Sequence, residues 1–145
     1  MKKTLGILLA LSAAVMVAAC NKPATQAAVG NAVHADGHNS RNALDWAGVY
    51  EGVVPCADCP GIEHRLTLEQ SGTYQLETRY LERSPAPQVV QGSFKWNDAG
   101  SIIRLDQAGS RLRFQVGENR LWMLNQAGER ISGPLAEHYI LNKRD

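Results

Sequence analysis

Two cysteines with the potential for chemistry lie in the segment Pro55-Cys56-Ala57-Asp58-Cys59-Pro60-Gly61-Ile62. Two thiols at this spacing can close a disulfide, act as a redox-active pair, or offer two thiolates to a soft metal such as Cu(I) or Zn. His64 follows shortly afterwards and is a candidate third metal ligand. These three kinds of site are the chemistry that the sequence presents.

The redox-active alternative needs a thiolate of low pKa, which a helix N-terminus or a neighbouring cation normally supplies. The sequence around Cys56 and Cys59 indicates neither. Pro60 and Gly61 oppose a regular helix there, and the carboxylate of Asp58 would raise the pKa of a nearby thiol.

The metal alternative has too few ligands, because a closed tetrahedral site takes four. His64 alternates in register with Leu66 and Leu68, which favours an imidazole at the rim or in the core rather than at a metal. A disulfide is therefore the favoured interpretation, with the metal site as the next alternative.

The third cysteine, Cys20, lies in a different context. Lys2 and Lys3 precede an uncharged apolar run, Leu5 to Ala19, which is typical of a signal peptide. The run is shorter than the roughly 20 residues that a transmembrane helix needs. The string Val17-Ala18-Ala19-Cys20 resembles the lipobox of bacterial lipoproteins, in which the cysteine is lipidated before cleavage.

By that resemblance, Cys20 would carry diacylglycerol on its sulfur and an acyl chain such as palmitate on its nitrogen, which together anchor the chain to a membrane. Asn21 stands where an aspartate would retain an enterobacterial lipoprotein in the inner membrane. We therefore expect the sorting machinery to deliver the protein to the outer membrane, facing the periplasm. The alternative is an ordinary signal peptide with an A-x-A-like cleavage site beside Cys20.

The predicted compartment bears on the cysteine pair and on binding partners. The periplasm is oxidising, which favours a disulfide between Cys56 and Cys59. Removal of residues 1–19 deletes Lys2 and Lys3 but no acid, leaving 13 basic and 14 acidic side chains. Because phosphate binding by nucleic-acid proteins draws on clustered positive charge, a nucleic-acid partner is not expected.

The mature chain divides into two parts by composition. Residues 20–43 form the lipidated cysteine and a tether that lacks Leu, Ile, Phe, Tyr and Trp, so it cannot bury itself and is expected to be flexible. Residues 44–145 are long enough for one compact domain with a modest core.

Residues 44–145 show short alternating apolar segments separated by turn residues, which predicts an all-β fold. About eight strands at ten-residue spacing favour an up-and-down meander, either a closed barrel or an open curved sheet. Each turn carries a glycine where a positive φ is cheap. Predicted strands lie in Asp45–Val54, Ile62–Leu68, Tyr74–Tyr80, Gly92–Trp96, Ile103–Leu105, Leu112–Val116, Leu121–Met123 and Tyr139–Leu141.

Longer loops are expected at Leu81–Gln88 and Ser132–Pro134, because both contain proline. Aromatic residues at alternating strand positions could line a ligand cavity in a barrel, although filling of the core is the commoner role. These are Trp46, Tyr50, Tyr74, Phe94, Trp96 and Tyr139.

A family resemblance rests on three motifs: Trp46-x-Gly48-x-Tyr50-x-Gly52, the cysteine segment, and Gly72-Thr73-Tyr74. Together with the lipidated Cys20, they resemble the N-terminal domain of the NlpE copper-resistance and envelope-stress lipoproteins. The likeness runs from Leu44 to the end. Larger members add a second β domain with further cysteines, and the resemblance does not extend to signalling that depends on that second domain.

The resemblance implies a lipocalin-like β-barrel anchored in the outer membrane, with a role in copper tolerance and in envelope or surface stress sensing. Its partner would be an inner-membrane sensor kinase of a two-component system, and a monomer without a required cofactor is expected. The alternative is a lipocalin-like carrier, or a Cu(I)- or Zn-binding protein that uses Cys56 and Cys59. No Ser-His-Asp pattern, phosphate loop or close carboxylate pair predicts an enzyme.

Overall fold

The computed structural model describes residues 37–145, so Cys20, Asn21 and most of the predicted tether lie outside the described residues. Its elements are α1 (Ser40–Ala43), β1 (Gly48–Val54), β2 (Ile62–Leu68), β3 (Thr73–Tyr80), β4 (Gln88–Trp96), β5 (Ile102–Leu105), β6 (Arg113–Gly117), β7 (Arg120–Met123), a 3₁₀ helix (Ala136–Tyr139) and β8 (Ile140–Arg144). No helix in this part of the chain is both long and apolar enough to cross a membrane.

The strands form a closed antiparallel barrel in which each strand pairs with its neighbours in sequence. β1 closes the barrel against β8 through the register pairs Val49 with Arg144 and Glu51 with Asn142. The predicted all-β, up-and-down fold is confirmed, and of the two topologies left open the closed barrel is the one formed. Closure removes the exposed edges that an open sheet would present to other chains.

The alternating pattern places one face of every strand inside the barrel. Tyr50, Leu66, Phe114, Leu121 and Leu141 are each completely buried there. Near one end the rings of Trp46 and Trp96 meet edge to face with centroids 5.3 Å apart. The interior aromatics therefore pack with one another and with aliphatic side chains, as core residues do.

An up-and-down barrel gathers alternate connections at the same end. Segments 55–61, 81–87, 106–112 and 124–139 share one end, which we call the cysteine end. The turns 69–72, 97–101 and 118–119 share the opposite end, which we call the tether end because α1 contacts it.

Helix α1 is an ordered turn inside the segment predicted to be a flexible tether. Asn39 caps it by accepting a hydrogen bond from the backbone N–H of Asn42. The backbone N–H of Arg41 donates to the carbonyl of Gly100 over 3.0 Å, and the hydroxyl of Ser40 donates to the carbonyl of Val116 over 2.8 Å. The last residues of the tether are thus fixed to the barrel by polar contacts rather than by apolar burial.

The prediction of positive φ at the turn glycines holds for some turns and is wrong for others. Gly72, Gly100 and Gly128 have positive φ, whereas in the β5–β6 connection Ser110 and Arg111 adopt it at 54° and 56°. Gly109 is instead required by space, because a Cβ there would lie 2.5 Å from the hydroxyl of Tyr74. Close approach, not backbone handedness, selects glycine at that turn.

Candidate functional site at the cysteine loop

The cysteine loop, residues 55–61, connects β1 to β2 at the cysteine end of the barrel. Cys56 and Cys59 are joined in a disulfide, with their Cα atoms 5.3 Å apart, as the favoured interpretation predicts. This separation lies within the usual range for disulfides. Both cysteine residues are partly exposed, so the loop that carries the disulfide lies at the surface.

Close backbone packing explains the glycine that ends the loop. Gly61 is buried, and a Cβ at this position would lie 2.5 Å from Cγ1 of Val53. The carbonyl of Gly61 accepts a hydrogen bond from the backbone N–H of Leu81 at 3.0 Å. The loop therefore returns tightly against β1 and is attached to the connection that follows β3.

A cation that sequence reasoning did not identify lies beside this loop. Arg83 places its Nη1 2.9 Å from Oδ2 of Asp58, and its Nη2 donates to the carbonyl oxygen of the same residue over 2.8 Å. This contact could have been inferred from the register of the β2–β3 hairpin, in which Ile62 pairs with Tyr80. The residues before β2 and those after β3 must therefore be neighbours.

The Arg83 contact changes the electrostatics expected around the sulfurs. Oδ1 of Asp58 lies 3.5 Å from Sγ of Cys56, so its charge is close to the disulfide. The sequence alone indicates no cation beside the cysteine pair to compensate the carboxylate of Asp58. The guanidinium of Arg83 offsets the charge of Asp58. The prediction that no cation lies beside the cysteine pair is therefore wrong.

The ligand atoms of Cys56, Asp58 and Cys59 all lie within 4.8 Å of one another, which makes them the candidate metal group of the described chain. The group does not fit Cu(I), because its sulfurs are joined to each other and its third member is a hard carboxylate held by Arg83. His64, the predicted third ligand, is not a member of the group.

His64 instead points into the barrel from β2, where only 7 % of its surface is exposed. Burial lowers the pKa of its imidazole below the usual value of 6.5. Its Nδ1 atom has no hydrogen-bond partner within residues 37–145. The rim or core position predicted from its alternation with Leu66 is the one observed, and burial there favours the neutral form of the imidazole.

Residues 50–134 match the family model described as the NlpE N-terminal domain. Among curated proteins, Lipoprotein NlpE of Escherichia coli is 34% identical over 83 residues, which cover 57% of this chain and 35% of that protein. The 17 kDa lipoprotein of Treponema pallidum is 32% identical over 108 residues, which cover 66% of this chain and 69% of that protein.

A solved structure of a candidate lipoprotein from Shewanella oneidensis is similar with a TM-score of 0.68 and 48% identity, covering 73% of this chain and 95% of that one. The E. coli protein has also been solved, as the Cpx pathway activator NlpE, with a TM-score of 0.49, 31% identity, and coverage of 59% of this chain and 46% of that one.

The chain spans about a third of the length of the E. coli relative and about two thirds of the Treponema relative. The matched region includes the cysteine loop, Arg83, the strands β2 to β7 and most of β1. The extent of the family match and the closed barrel that carries it lead to one conclusion: this chain belongs to the NlpE family.

Proposed function

We propose that this protein is an outer-membrane-anchored lipoprotein that reports envelope or surface stress, including copper stress, to an inner-membrane sensor kinase of a two-component system. It acts as a non-enzymatic sensor and adaptor. Cys20 carries the lipid, and the barrel is the part that the kinase recognises when sorting or folding fails.

The names of the relatives support this proposal. Two relatives that match in sequence are named lipoproteins. The E. coli relative is described as an activator of the Cpx pathway. Because this chain matches only about a third of that protein's length, the activating role is transferred as a proposal.

The observation that carries the proposal is that α1 and the disulfide lie at opposite ends of the barrel. α1, the last ordered turn of the predicted tether, contacts the tether end through Gly100 and Val116. The disulfide between Cys56 and Cys59 lies at the cysteine end. The cysteine end is therefore the end that α1 does not contact, and it is the surface proposed to meet a partner.

The disulfide gives the cysteine end two states. In the chain-entropy model, a loop of four residues is stabilised by roughly 2 kcal/mol through its disulfide, enough to hold the loop but not the domain. When oxidation fails, the loop opens while the barrel stays closed. The surface that carries Asp58 and Arg83 would then change without global unfolding.

A reporter strain for the two-component response tests the proposal. Asn21→Asp is the variant to overproduce, because it should retain the lipoprotein in the inner membrane, close to the kinase. We expect it to raise reporter output well above that of the unchanged chain at equal abundance. A matched Asn21→Gln variant keeps the residue uncharged and should behave like the unchanged chain.

An unchanged response in the retained variant would contradict the proposal, provided that membrane fractionation shows the shift in location. Cys20→Ser supplies the second control, because a chain without this thiol should no longer incorporate labelled palmitate. If that variant is still labelled, the lipid assignment to Cys20 is wrong.

A second candidate function is metal binding after reduction, favoured by the grouping of Cys56, Asp58 and Cys59. Two freed thiolates and one carboxylate would suit Zn²⁺ better than Cu(I), since a carboxylate is a hard ligand. Native mass spectrometry of the reduced protein with each metal tests this. An adduct that disappears in Cys56→Ser/Cys59→Ser supports it, and equal adducts in both proteins reject it.

A further inference from the structure

The outer wall of the barrel carries its charges unevenly. On the wall formed by β1, β2, β3 and β8, acidic and basic side chains form ion pairs. These pairs are Arg65 with Glu51, Arg79 with Glu63, and Arg144 with Glu51. The positive and negative charges of that wall nearly cancel, and these ion pairs lie within the wall itself.

The wall formed by β4, β5 and β6 has the opposite character. Lys95 lies directly across from Arg104 in the sheet register, and Arg104 lies directly across from Arg113. None of these three cations forms an ion pair with a carboxylate within residues 37–145. Like charges directly opposite on a sheet destabilise it, so folding alone gives no reason for this arrangement.

The three cations line a groove of about 620 Å³, a volume typical of small-ligand sites. Arg111 adds a fourth cation from the β5–β6 connection, where its φ of 56° is unusual for a residue with a side chain. The site thus gathers four positively charged side chains in one groove.

Asp106 is the one carboxylate that lines this groove. Both of its oxygens already accept hydrogen bonds from other parts of the barrel. Oδ1 accepts a hydrogen bond from the hydroxyl of Tyr74 at 2.7 Å. Oδ2 accepts another from the backbone N–H of Ser93 at 2.8 Å. Because these contacts hold the carboxylate against β3 and β4, it does not pair with the row of cations.

Arg113 is positioned as well as charged. Its Nη1 donates to the carbonyl of Gln126 at 2.6 Å, which orients the guanidinium in the groove. Its remaining N–H groups can serve a ligand. A planar guanidinium matches the paired oxygens of phosphate, and a lysine adds a point charge to the same group.

We propose that the β4–β6 groove binds a phosphate-bearing ligand, with Lys95, Arg104 and Arg113 as its anion contacts. Neighbouring strands lie about 4.8 Å apart, so three cations spread over roughly 10 Å can converge on one phosphate or diphosphate group. The acidic side chains on one face of an extended peptide repeat at about 6.8 Å, which matches this row less well.

Binding measurements on the mature chain, residues 20–145, carrying Cys20→Ser test this site without a lipid anchor or a signal peptide. Inorganic pyrophosphate in calorimetry probes a soluble source of phosphate. Sedimentation with phosphatidylcholine vesicles containing phosphatidylglycerol probes a lipid headgroup. Binding in either arm supports the site and identifies the source, and absence of binding in both arms overturns it.

A matched pair of triple variants separates a site from simple net charge. Lys95→Gln/Arg104→Gln/Arg113→Gln should weaken binding at least about tenfold, because each loses charge-assisted hydrogen bonds. Arg65→Gln/Arg79→Gln/Arg144→Gln removes the same charge from the balanced wall and should weaken binding less than about twofold. Equal losses would overturn the site, as would tighter binding of a polyglutamate peptide than of pyrophosphate.

Folding of the variants provides an independent readout. Arg104 has a like charge on both sides, so Arg104→Gln should keep or raise the melting temperature while it weakens pyrophosphate binding. A lowered melting temperature in Arg104→Gln would show that the row serves the fold, and the proposal would fail.

Discussion

Arg83 holds Asp58 at two points, with Nη1 2.9 Å from the carboxylate oxygen Oδ2 and Nη2 2.8 Å from the backbone carbonyl oxygen. This pair links the connection after β3 to the loop that contains the disulfide. The side chains are more than half exposed, at 53% for Arg83 and 66% for Asp58. The contact therefore restrains the loop locally and contributes little to global stability.

Arg83→Gln should accelerate reduction of the disulfide by dithiothreitol. Exposed ion pairs contribute about 0.5–1 kcal/mol at most, so we expect a two- to fivefold faster rate and an almost unchanged melting temperature. Arg79→Gln is the matched control, because it breaks a similarly exposed pair with Glu63 outside the loop. Equal reduction rates in the two variants would show that Arg83 does not restrain the loop.

Replacement of both loop cysteines tests what the disulfide does for the fold. Cys56→Ser/Cys59→Ser should lower the free energy of unfolding by about 2 kcal/mol, the loop-closure value for so short a loop. The barrel should remain folded, since its core lies elsewhere. Denaturation by urea with circular dichroism measures the change, and an unfolded variant at 25 °C would contradict the local role.

Two buried tyrosines predict a loss of stability in alkali. Burial raises the pKa of Tyr50 and of Tyr74 from 10.0 to about 12. Their hydroxyls donate to the carbonyl of Trp46 and the carboxylate of Asp106. The native state keeps these protons while the unfolded chain releases them, so stability is full below pH 10 and falls as the pH rises toward 12.

Tyr50→Phe and Tyr74→Phe should each flatten this alkaline decrease in urea titrations. Both should also lower stability at neutral pH by about 1 kcal/mol, the usual net value of a hydrogen bond. Tyr80→Phe changes an exposed ring and serves as the control. A decrease as steep in Tyr74→Phe as in the unchanged chain would contradict the assignment for that residue.

His64 predicts a loss of stability in mild acid. Its pKa in the folded state lies below 6.5. As the pH falls, the imidazole therefore binds a proton in the unfolded chain before it does so in the native state. Stability is therefore full above pH 6.5 and declines as the pH falls below it. His64→Leu should remove this slope and be at least as stable at neutral pH, because it also removes the unpartnered Nδ1.

The control for that titration is His138→Gln, which changes an exposed imidazole in the 3₁₀ helix. The slope below pH 6.5 should survive in this variant. If His64→Leu keeps the slope and His138→Gln loses it, the buried imidazole is not its source.

The barrel could be predicted from the sequence because each strand has a local sequence pattern. Alternation marks the inward faces of β2 and β3, and glycine-rich turns mark their ends. The order of the strands follows once every connection is short. Closure could not be predicted, since the pairing of β1 with β8 joins residues about ninety positions apart.

What the sequence left out depends on contacts between distant segments. α1 forms because Asn39 caps it and because the carbonyl of Gly100 accepts a hydrogen bond from the backbone N–H of Arg41. None of the residues of α1 is buried. Arg83 meets Asp58 only after β2 and β3 pair. The row from Lys95 to Arg113 is likewise invisible until the register of β4, β5 and β6 is known.

The most direct test of the proposed function asks which end of the barrel meets the kinase. Ala57 and Ala99 are both exposed alanines, one in the cysteine loop and one in a turn at the tether end. A photoreactive residue at each position, in the chain retained by Asn21→Asp, allows a matched crosslinking experiment. We predict a kinase adduct from position 57 and none from position 99. An adduct from position 99 alone, or none from either while the stress response is active, would contradict the account.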